Sequence, residues 1–400
     1  MSRGVTRRQV LSGLGVGVVG SMAGCGKATS LGGREPASGD WPMFGHDPAN
    51  TGVSSGSPGP SGPGERWRFG IDRGITASPA VVGGTVYLTA LEGSIYALDA
   101  ATGERLWLSA ASFPLFGTPA VEGGIVYVSD GGGYLHALSE GRREGSDGEG
   151  PARHAGEFLW QVRGHAGFTA SPTVVDGSVY LGTYEGDLHA FDATDGTSIW
   201  VDILGDNVDV APAVSGGTVY ATVPRGVVYA LDAESGGRIW QTPLRVALTK
   251  APVVYEGSVL VGSSDTSRYG QETRVFSLDA GTGEREWDAP LDGGSSGSPA
   301  VIDGIALVAT WGGVLHAFDT DDGTERWRVS LDHGITTAPV VAGSRAYIGT
   351  LAAEIHAVSV ADGTLEWSTS TGKGFPQSLT VAGDAVYAAT DANEVLAIGA

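Results

Sequence analysis

Eight tryptophans recur along this chain at a nearly constant spacing, and that spacing constrains the fold more than any other feature. The successive intervals are 40, 53, 40, 40, 47, 40 and 40 residues. Proline lies twelve residues after each tryptophan except the last, where Leu379 replaces it, and glycine lies four residues before each except Trp67, where Pro63 replaces it. A fixed period of this length indicates a repeated supersecondary unit. The tryptophans are Trp67, Trp107, Trp160, Trp200, Trp240, Trp287, Trp327 and Trp367.

One repeat unit, residues 78–107, reads as short strands separated by glycine turns. Apolar and β-branched runs such as Val86-Tyr87-Leu88 and Ile95-Tyr96-Ala97-Leu98 alternate with Gly-Gly and Ala-Thr-Gly segments, which is typical of β-strands and tight turns. The pattern predicts four strands and no helix per unit. A sheet this small cannot bury both of its apolar faces alone, so the units are expected to stack around an axis as propeller blades.

The positions of proline, glycine and tryptophan order the strands within each predicted blade. Proline cannot donate a ladder hydrogen bond and is tolerated on edge strands, so the segment at Ser78-Pro79 is expected to be the innermost strand, beside the central channel. The glycine before each tryptophan is expected to turn the chain into the outermost strand. The indole side chains are expected to fill the space between neighbouring blades.

The two ends of the repeat region predict how the ring closes. The region begins with one isolated outer strand, residues 65–69, and ends with three strands that run through Ala397. Joined, these segments make one complete blade and leave no open seam. The sequence therefore predicts an all-β fold: an eight-bladed β-propeller of four-stranded antiparallel blades, closed by the N-terminal outer strand joining the C-terminal three strands.

The turn before the tryptophan carries a motif, A-x-D-x-x-x-G-x-x-x-W, seen at Ala97, Asp99, Gly103 and Trp107. This motif resembles the repeat of the pyrroloquinoline-quinone (PQQ) type propellers, and the resemblance covers residues 65–400. The aspartate is missing at Ser139 and Ser359. In that family the motif packs the tryptophan between blades, so the resemblance implies the fold and not a reaction.

Residues 1–24 have the features of an export signal. Arg3, Arg7 and Arg8 precede a short apolar stretch, and Thr6-Arg7-Arg8-Gln9-Val10-Leu11 resembles a twin-arginine signal. The segment before Cys25 resembles a lipobox, with Met22 where leucine is usual. We predict lipid attachment at Cys25 and a location on the outer face of the cell membrane. The alternative, a retained membrane helix, is disfavoured because the apolar run is short for a span.

Residues 25–64 are interpreted as a lipid-anchored tether and lead-in before the propeller at 65–400. The stretch from residue 41 to residue 52, beginning Trp-Pro-Met-Phe-Gly-His, resembles the lead-in found before such propellers and is expected to lie against the ring. The Ser/Gly/Pro-rich linker that follows, through Gly64, is expected to be loose.

Composition limits the partners. The formal net charge is −21 and lysine occurs three times, which argues against nucleic acid as a partner. Few lysines and many acidic residues resemble the proteins of salt-loving archaea; the alternative is an ordinary acidic secreted protein. Since the chain has one cysteine, it forms no internal disulfide. We expect a monomer.

Two insertions and four equivalent histidines are further candidates for functional sites. Residues 139–157 lengthen a loop and are predicted to be a solvated excursion, and residues 264–273 lengthen a second loop.

A shared metal ring is not expected, since the four histidines occupy separate blades and the same position elsewhere holds Tyr96, Tyr229, Phe276 or Leu396. Packing is the preferred interpretation, and no metal site is predicted. The four histidines are His136, His189, His316 and His356.

Binding is expected on one rim of the ring. The loops that enter the inner strands and the turns between second and third strands should share a rim, and the sequence varies there. Arg73, Lys373 and His333 are predicted to form a cationic sector, with Arg245 and Lys250 across the channel, that receives an anionic group. The alternative is that these are ordinary loop charges paired with Asp72 and Asp332. Aromatic residues on this rim include Trp311.

Two functions remain open at this point. The first is a membrane-tethered, non-catalytic binding or scaffold protein that needs no cofactor and holds a protein or a small anionic ligand; it resembles the propeller lipoprotein of the bacterial outer-membrane barrel assembly machinery. The second is a dehydrogenase that oxidises an alcohol or sugar with PQQ and calcium. That enzyme family stacks its cofactor between a tryptophan and a disulfide of adjacent cysteines, which this chain cannot form. Trp311 is the conceivable stacking residue.

Overall fold

The computed structural model of the 400-residue chain describes residues 37, 39–54, 56–75, 77–141, 154–264 and 272–400. The predicted export signal with Arg7 and Arg8, the predicted lipid site Cys25, and most of both insertions lie outside these ranges. No helix among the described residues has the length and apolar character that crossing a membrane requires.

The described residues form thirty-three strands, of which two precede the first complete blade. These two are β1 (Val53–Ser54) and β2 (Glu65–Gly70). Blades 1 and 2 contain β3 (Ala80–Val82), β4 (Thr85–Thr89), β5 (Ser94–Asp99), β6 (Arg105–Ala110), β7 (Ala120–Glu122), β8 (Ile125–Ser129), β9 (Tyr134–Ser139) and β10 (Phe158–Arg163). Blades 3 and 4 contain β11 (Thr173–Val175), β12 (Ser178–Gly182), β13 (Asp187–Asp192), β14 (Ser198–Ile203), β15 (Ala213–Ser215), β16 (Thr218–Val223), β17 (Val227–Asp232) and β18 (Arg238–Pro243).

The second half of the ring repeats the arrangement. Blades 5 and 6 contain β19 (Val253–Tyr255), β20 (Ser258–Gly262), β21 (Arg274–Asp279), β22 (Arg285–Pro290), β23 (Ala300–Ile302), β24 (Ile305–Ala309), β25 (Val314–Asp319) and β26 (Glu325–Ser330). Blades 7 and 8 contain β27 (Val340–Ala342), β28 (Arg345–Thr350), β29 (Glu354–Ser359), β30 (Leu365–Ser370), β31 (Pro376–Ala382), β32 (Ala385–Thr390) and β33 (Glu394–Ile398).

The eight-bladed, antiparallel architecture predicted from the tryptophan spacing is confirmed. Each blade pairs its strands in chain order from the inside outward, and in blade 8 the order is β31, β32, β33 and then β2. Strand β2 pairs antiparallel with β33, with Arg68 opposite Leu396. The N-terminal outer strand therefore completes the C-terminal blade and closes the ring.

The tryptophans pack across the boundaries between blades, as predicted. The indole of Trp200, on the outer strand of blade 3, lies so close to Gly236 of blade 4 that a Cβ there would stand 2.7 Å from its Cδ2 atom. Seven of the eight blade boundaries, this one included, have such a contact between a tryptophan and the glycine of the next blade. Trp200 also donates from Nε1 to the Ala233 carbonyl of blade 4 at 2.9 Å. Each such contact joins two sheets that share no strand.

Two local features set the direction of the tryptophan, and the sequence pattern alone did not reveal the first. In every blade the register shifts at the residue before the tryptophan, as at Leu106 between the pairs Leu98–Arg105 and Ala97–Trp107. Such a bulge re-aims the side chain that follows it. The motif aspartate then holds the turn, because Asp99 accepts hydrogen bonds from the backbone of Ala101 and Thr102.

The proline of each repeat stands immediately before the inner strand and keeps that strand short. Inner strands that follow a proline have three residues, as in Ala80–Val82. In blade 8, where Leu379 replaces proline, β31 extends over seven residues. The missing proline N–H accounts for the difference, since it removes one donor from the ladder.

The lead-in lies against the ring, as expected, and runs over the inner strands. An inner strand at the channel exposes unpaired N–H groups, and the lead-in supplies carbonyl acceptors for them. Val81 of blade 1 donates to Trp41 and Val214 of blade 4 donates to Pro48, at 2.8 and 2.6 Å. The same inner-strand position donates to the lead-in in blades 2, 5, 6 and 7. Asn50 adds side-chain bonds to the carbonyls of two further loops.

The expectation that the linker through Gly64 is loose is wrong for its described residues. Val53–Ser54 forms a parallel strand on the inner edge of blade 7 and makes that sheet five-stranded. Ser57 is buried, and Gly59 donates to the Gly383 carbonyl of blade 8 at 3.2 Å. The linker is ordered because its backbone continues the pairing of the free inner edges, a role that needs no particular side chain.

We expect Gly236→Ala to destabilise the protein more than Gly216→Ala. Both glycines belong to blade 4 and have positive φ, 71° and 58°, so both substitutions cost about 1–2 kcal/mol in backbone strain. Only the Gly236 methyl group meets an indole, since nothing lies within 4 Å of a Cβ at Gly216, which adds about 1–3 kcal/mol of overpacking. Denaturant unfolding measures the free energy of unfolding of both variants. Equal losses of stability would contradict the tight packing of the Trp200 indole against Gly236.

Candidate functional site

The loops expected to share one rim do share it. The loop entering a blade pairs with the turn between that blade's second and third strands through isolated bridges, such as Leu115 with Asp130 in blade 2 and Phe168 with Thr183 in blade 3. Blades 6 and 7 repeat this bridge. This face of the ring is called the loop rim below. The opposite face carries the Gly-Gly and Asp-x-x-x-Gly turns.

A cavity of about 240 Å³ lies among the segments that lead into the inner strands of all eight blades. The lead-in residue Phe44 contributes to its wall. The residue before each proline or its equivalent lines this axial cavity, and all eight are small: Ser78, Thr118, Ser171, Ala211, Ala251, Ser298, Ala338 and Ser378. This periodic run of small residues is the signal in the sequence that marks the axis, and the sequence analysis overlooked it.

The axial cavity is polar and contains two ionisable side chains, Lys250 and Asp209. Burial lowers the pKa of Lys250, and Asp209 acts in the opposite direction. Burial raises the pKa of Asp209. No salt bridge joins these two residues, and Thr169 Oγ1 and Ser298 Oγ are buried without a partner in the described structure. The cavity thus presents an ammonium group and free hydroxyl groups, a set suited to a small polar or anionic group.

The predicted cationic sector lies on the loop rim, outside the axial cavity. Arg73, His333 and Lys373 are exposed and lie in the loops that enter blades 1, 7 and 8, which are neighbours in the closed ring. Within the described ranges none of these side chains makes an ion pair, and Asp72 and Asp332 do not pair with them. The alternative of loop charges neutralised by those two aspartates is therefore absent from the described structure.

Arg245 and Trp311 extend the same arc of the loop rim. Arg245 is exposed at φ 60° in the loop that enters blade 5, and Trp311 is 49% exposed in the β24–β25 turn of blade 6. The turn with Trp311 packs against the loop with His333, since a Cβ on Gly334 would stand 2.5 Å from the Trp311 carbonyl oxygen. The five predicted rim residues thus occupy five consecutive blades, 5 to 8 and 1, and Lys250 alone lies in the cavity.

A protein-family model described as "Outer membrane protein assembly factor BamB" matches residues 60–148, 151–210, 185–272 and 271–400, which together cover the whole ring. The chain belongs to this family. A solved BamB-family structure, BamB from Moraxella catarrhalis, is 17% identical with a TM-score of 0.69, over 85% of this chain and 100% of that chain.

Other similar proteins differ in what their names describe. The computationally designed Ika8 protein has a TM-score of 0.73 at 17% identity, over 85% of this chain and 100% of that one. Quinohemoprotein alcohol dehydrogenase of Comamonas testosteroni is 25% identical over 167 residues, 40% of this chain and 18% of that protein. Its solved structure has a TM-score of 0.69 at 15% identity, over 90% of this chain and 80% of that chain. Structural likeness at these identities shows the shared fold alone.

The residues of this BamB-family propeller do not fit the PQQ and calcium that the dehydrogenase resemblance implies. Calcium takes six to eight oxygen ligands, usually with several carboxylates. Asp209 is the one carboxylate in the described lining of the axial cavity, and Lys250 shares that lining. Trp311, the conceivable stacking residue, lies on the loop rim and not in the cavity wall.

The four equivalent histidines are buried in four separate blades, which agrees with the packing interpretation. His316 stacks on Phe318 with ring centroids 5.5 Å apart, and His189 stacks on Phe191 at 5.3 Å. Burial lowers the pKa of His189 to about 4. The ring of His189 is therefore neutral at physiological pH.

We expect Lys250→Met to stabilise the protein at pH 7 by about 1–3 kcal/mol, because it removes a partly buried charge that forms no salt bridge among the described residues. The folded-state pKa of Lys250 is lowered, so the unfolded chain binds more protons between that pKa and about 10.4. The cost of the wild-type lysine is thus fully present below its folded pKa and is relieved as the pH rises toward 10.4. Denaturant unfolding of both proteins between pH 7 and pH 10.5 should show the gap narrowing.

The matched control is Arg245→Met, an exposed cation in the same loop. It should leave the pH dependence of stability unchanged. A gap between wild type and Lys250→Met that stays constant across this pH range would show that Lys250 is not destabilised by burial.

Proposed function

We propose that this BamB-family propeller is an extracytoplasmic, membrane-tethered binding protein without catalysis of its own. It is exported by the signal that contains Arg7 and Arg8 and held at the outer face of the cell membrane by lipid on Cys25. Its loop rim binds a protein partner through acidic groups on that partner, or binds a small anionic ligand. The export and anchoring parts of this proposal rest on sequence features.

The observation that carries the binding proposal is the set of unpaired cations beside exposed aromatic rings on the loop rim. Arg73, Lys373 and Arg245 have no ion-pair partner among the described residues, while Trp311 is 49% exposed. Arginine and large aromatic side chains are enriched at the energetic centres of protein interfaces. A partner that buries the rings and supplies carboxylates satisfies both groups at once.

Several arginines on the outer strands, in contrast, are paired with carboxylates, as Arg225 on the loop rim is with Asp206. Arg66 bonds Asp384 at 2.7 Å, and Arg238 bonds Asp202 at 2.6 Å. On an outer strand of blade 6, Arg326 bonds Asp319 at 2.6 Å. The formal charge of −21 means that acidic side chains outnumber basic ones. Cations on the loop rim that remain unpaired despite this excess are available to a ligand.

The other half of the loop rim supplies apolar contact area. Tyr184 of blade 3 is 61% exposed, and Phe113 and Phe116, in the loop entering blade 2, are also exposed. Phe116 also lines the axial cavity. A ligand on the loop rim thus meets cations on one side of the axial cavity and aromatic rings on the other. At the centre it meets the hydroxyl groups and Lys250 of the cavity. The rigid ring holds all of these groups in place.

The family description names outer membrane protein assembly. We take from it the binding of other proteins through the propeller, and we make no claim on which membrane system this chain serves. A designed protein shares the fold, so the fold alone does not decide between binding and catalysis. The residues of the loop rim are therefore the basis of the proposal.

Site-specific photocrosslinking tests the binding face. A photoreactive amino acid in place of Trp311 in the lipidated chain, irradiated in native membranes, should give a discrete crosslinked species. The same residue in place of Glu234, which is exposed in a turn on the opposite rim, serves as the control and should not. Equal crosslinking at both positions would contradict the assignment of the loop rim.

We expect the double variant Arg73→Ala/Lys373→Ala to lower that crosslink yield about tenfold, which corresponds to about 1.4 kcal/mol of binding free energy. The effect should shrink as salt is raised, because exposed charges are screened. The control Arg105→Ala/Arg285→Ala removes two cations from outer strands and leaves the loop rim intact. If both variants lose yield equally, net charge and not the cationic sector determines binding.

The dehydrogenase alternative is favoured by the 25% identity over 167 residues to an alcohol dehydrogenase and by the position of the axial cavity. Because the lining lacks a calcium-type donor set, we expect no retained chromophore when the purified mature protein is incubated with PQQ and Ca²⁺. Gel filtration followed by absorption spectroscopy and a dye-reduction assay with alcohols or sugars measures this. A stoichiometric chromophore with dye reduction would favour the enzyme over the binding protein.

A further inference from the structure

His189 differs from its three equivalents in lacking a polar partner. Its Nε2 atom is buried without a hydrogen bond, and the side chain is 2% exposed. A buried ring nitrogen without a partner loses the hydrogen bond it had in water, and such groups are rare enough in native structures to need an explanation. The other three histidines each bond a side chain of their own blade at 2.8 Å: His136 to Asp130, His316 to Glu325 and His356 to Ser368.

The reason lies in the residues that replace those partners in blade 3. The position of Asp130 is taken by Thr183, whose hydroxyl accepts from the Asp187 backbone, and the position of Ser368 is taken by Val201. The position of Glu325 is taken by the shorter, exposed Ser198. Blade 3 therefore retains the buried imidazole without any of the three partners that the other blades supply.

Two other potential ligands stand beside His189. Asp187 lies two residues earlier on β13 and so projects from the same face of the sheet. His165 is exposed in the loop that joins β10 to β11. One ligand atom from each of these three residues lies within 4.8 Å of the others, and no other histidine, cysteine or acidic group of the described ranges forms such a set.

Aromatic packing fixes the central ligand. The His189 ring stacks on Phe191 at an interplanar angle of 4° and meets the edge of Phe168 at 81°, with centroids 5.5 Å apart. The His165 ring lies 6.1 Å from it at 32°. The imidazole of His189 is buried and held in orientation, the carboxylate of Asp187 is partly buried, and the imidazole of His165 is exposed. Small rotations of the Asp187 and His165 side chains would bring the three ligand atoms to metal-binding distance.

We propose that His165, Asp187 and His189 bind a divalent transition-metal ion, with Zn²⁺ as the best chemical match. Two imidazole nitrogens and one carboxylate oxygen suit zinc, whose ligand distances are about 2.0–2.2 Å. Calcium and magnesium prefer sets made of oxygen alone. The carboxylate offsets part of the charge of the ion, and the ion gives a partner to an imidazole that has no hydrogen bond among the described residues.

Metal binding here would have a structural and a binding consequence. The ion ties the loop of residues 164–172 to β13, and thus fixes a segment of the loop rim between blades 2 and 3. Three protein ligands leave at least one coordination position open. Because His165 is exposed, that position faces solvent on the loop rim, where water or a donor group from a ligand completes it. This inference stands independently of the proposed binding partner.

Binding of Zn²⁺ and Co²⁺ to metal-free, tag-free protein tests the proposal. Equilibrium dialysis should give one Zn²⁺ per chain, and Co²⁺ should give the visible absorption of a low-coordinate nitrogen and oxygen site. His165→Ala and Asp187→Asn should each weaken binding at least tenfold. Both residues are at least partly exposed, so these variants should remain folded, which thermal unfolding without metal checks.

The matched control is His154→Ala, which removes another exposed histidine of the described chain and should leave stoichiometry and spectrum unchanged. Saturating Zn²⁺ should also raise the Tm of wild type and not of His165→Ala, since a ligand of the folded state stabilises it. Binding that survives both His165→Ala and Asp187→Asn, or no binding by wild type at micromolar Zn²⁺, would overturn the site.

Discussion

The contact between a tryptophan and the glycine of the next blade is the interaction on which the whole ring depends. A four-stranded blade shares no hydrogen-bonded strand with its neighbour, so the blades associate by packing alone. The indole of Trp287 fills the space above Gly323, where a Cβ would stand 2.5 Å from it, and donates to the Thr320 carbonyl of blade 6. Glycine is required there both by this approach and by its φ of 73°. Closure by β2 gives the boundary between blades 8 and 1 the same contact, between Trp67 and Gly103.

The lead-in provides hydrogen-bond partners for the inner strands of the ring. Inner strands face the channel with a free edge, and eight such edges leave backbone donors without partners. The carbonyls of residues such as Pro42 and Thr51 accept from inner strands of different blades, so one short segment links blades that are far apart around the ring. Phe44 of the same segment also contributes to the wall of the axial cavity.

The regular features could be predicted from sequence because each is repeated: the blade number, the closure and the inter-blade indoles follow from residues that recur about every 40 positions. The linker was misinterpreted because its contacts are made by the backbone around Val53 and Gly59, which any Ser/Gly/Pro-rich segment can offer. The axial cavity escaped notice since its lining comes from small residues such as Ser78 and Ala338 that carry no chemical signature singly. The cluster around His189 was missed for a related reason: comparison among equivalent histidines cannot reveal a partner, His165, that belongs to a loop with no equivalent role elsewhere.

The two faces of the ring differ in how strongly the fold constrains their residues. On the face of the Asp-x-x-x-Gly turns, Asp99, Asp232 and Asp279 each accept backbone hydrogen bonds within their own turn, so their carboxylates are occupied and the turns are held alike. On the loop rim no such rule applies, and the same repeat position holds Asp292 in one blade and Arg245 in another. The tryptophans of the inter-blade contacts lie on the outer strands of the blades and not in these loops. Unpaired cations, exposed rings and the exposed imidazole of His165 therefore accumulate where the fold imposes the fewest demands.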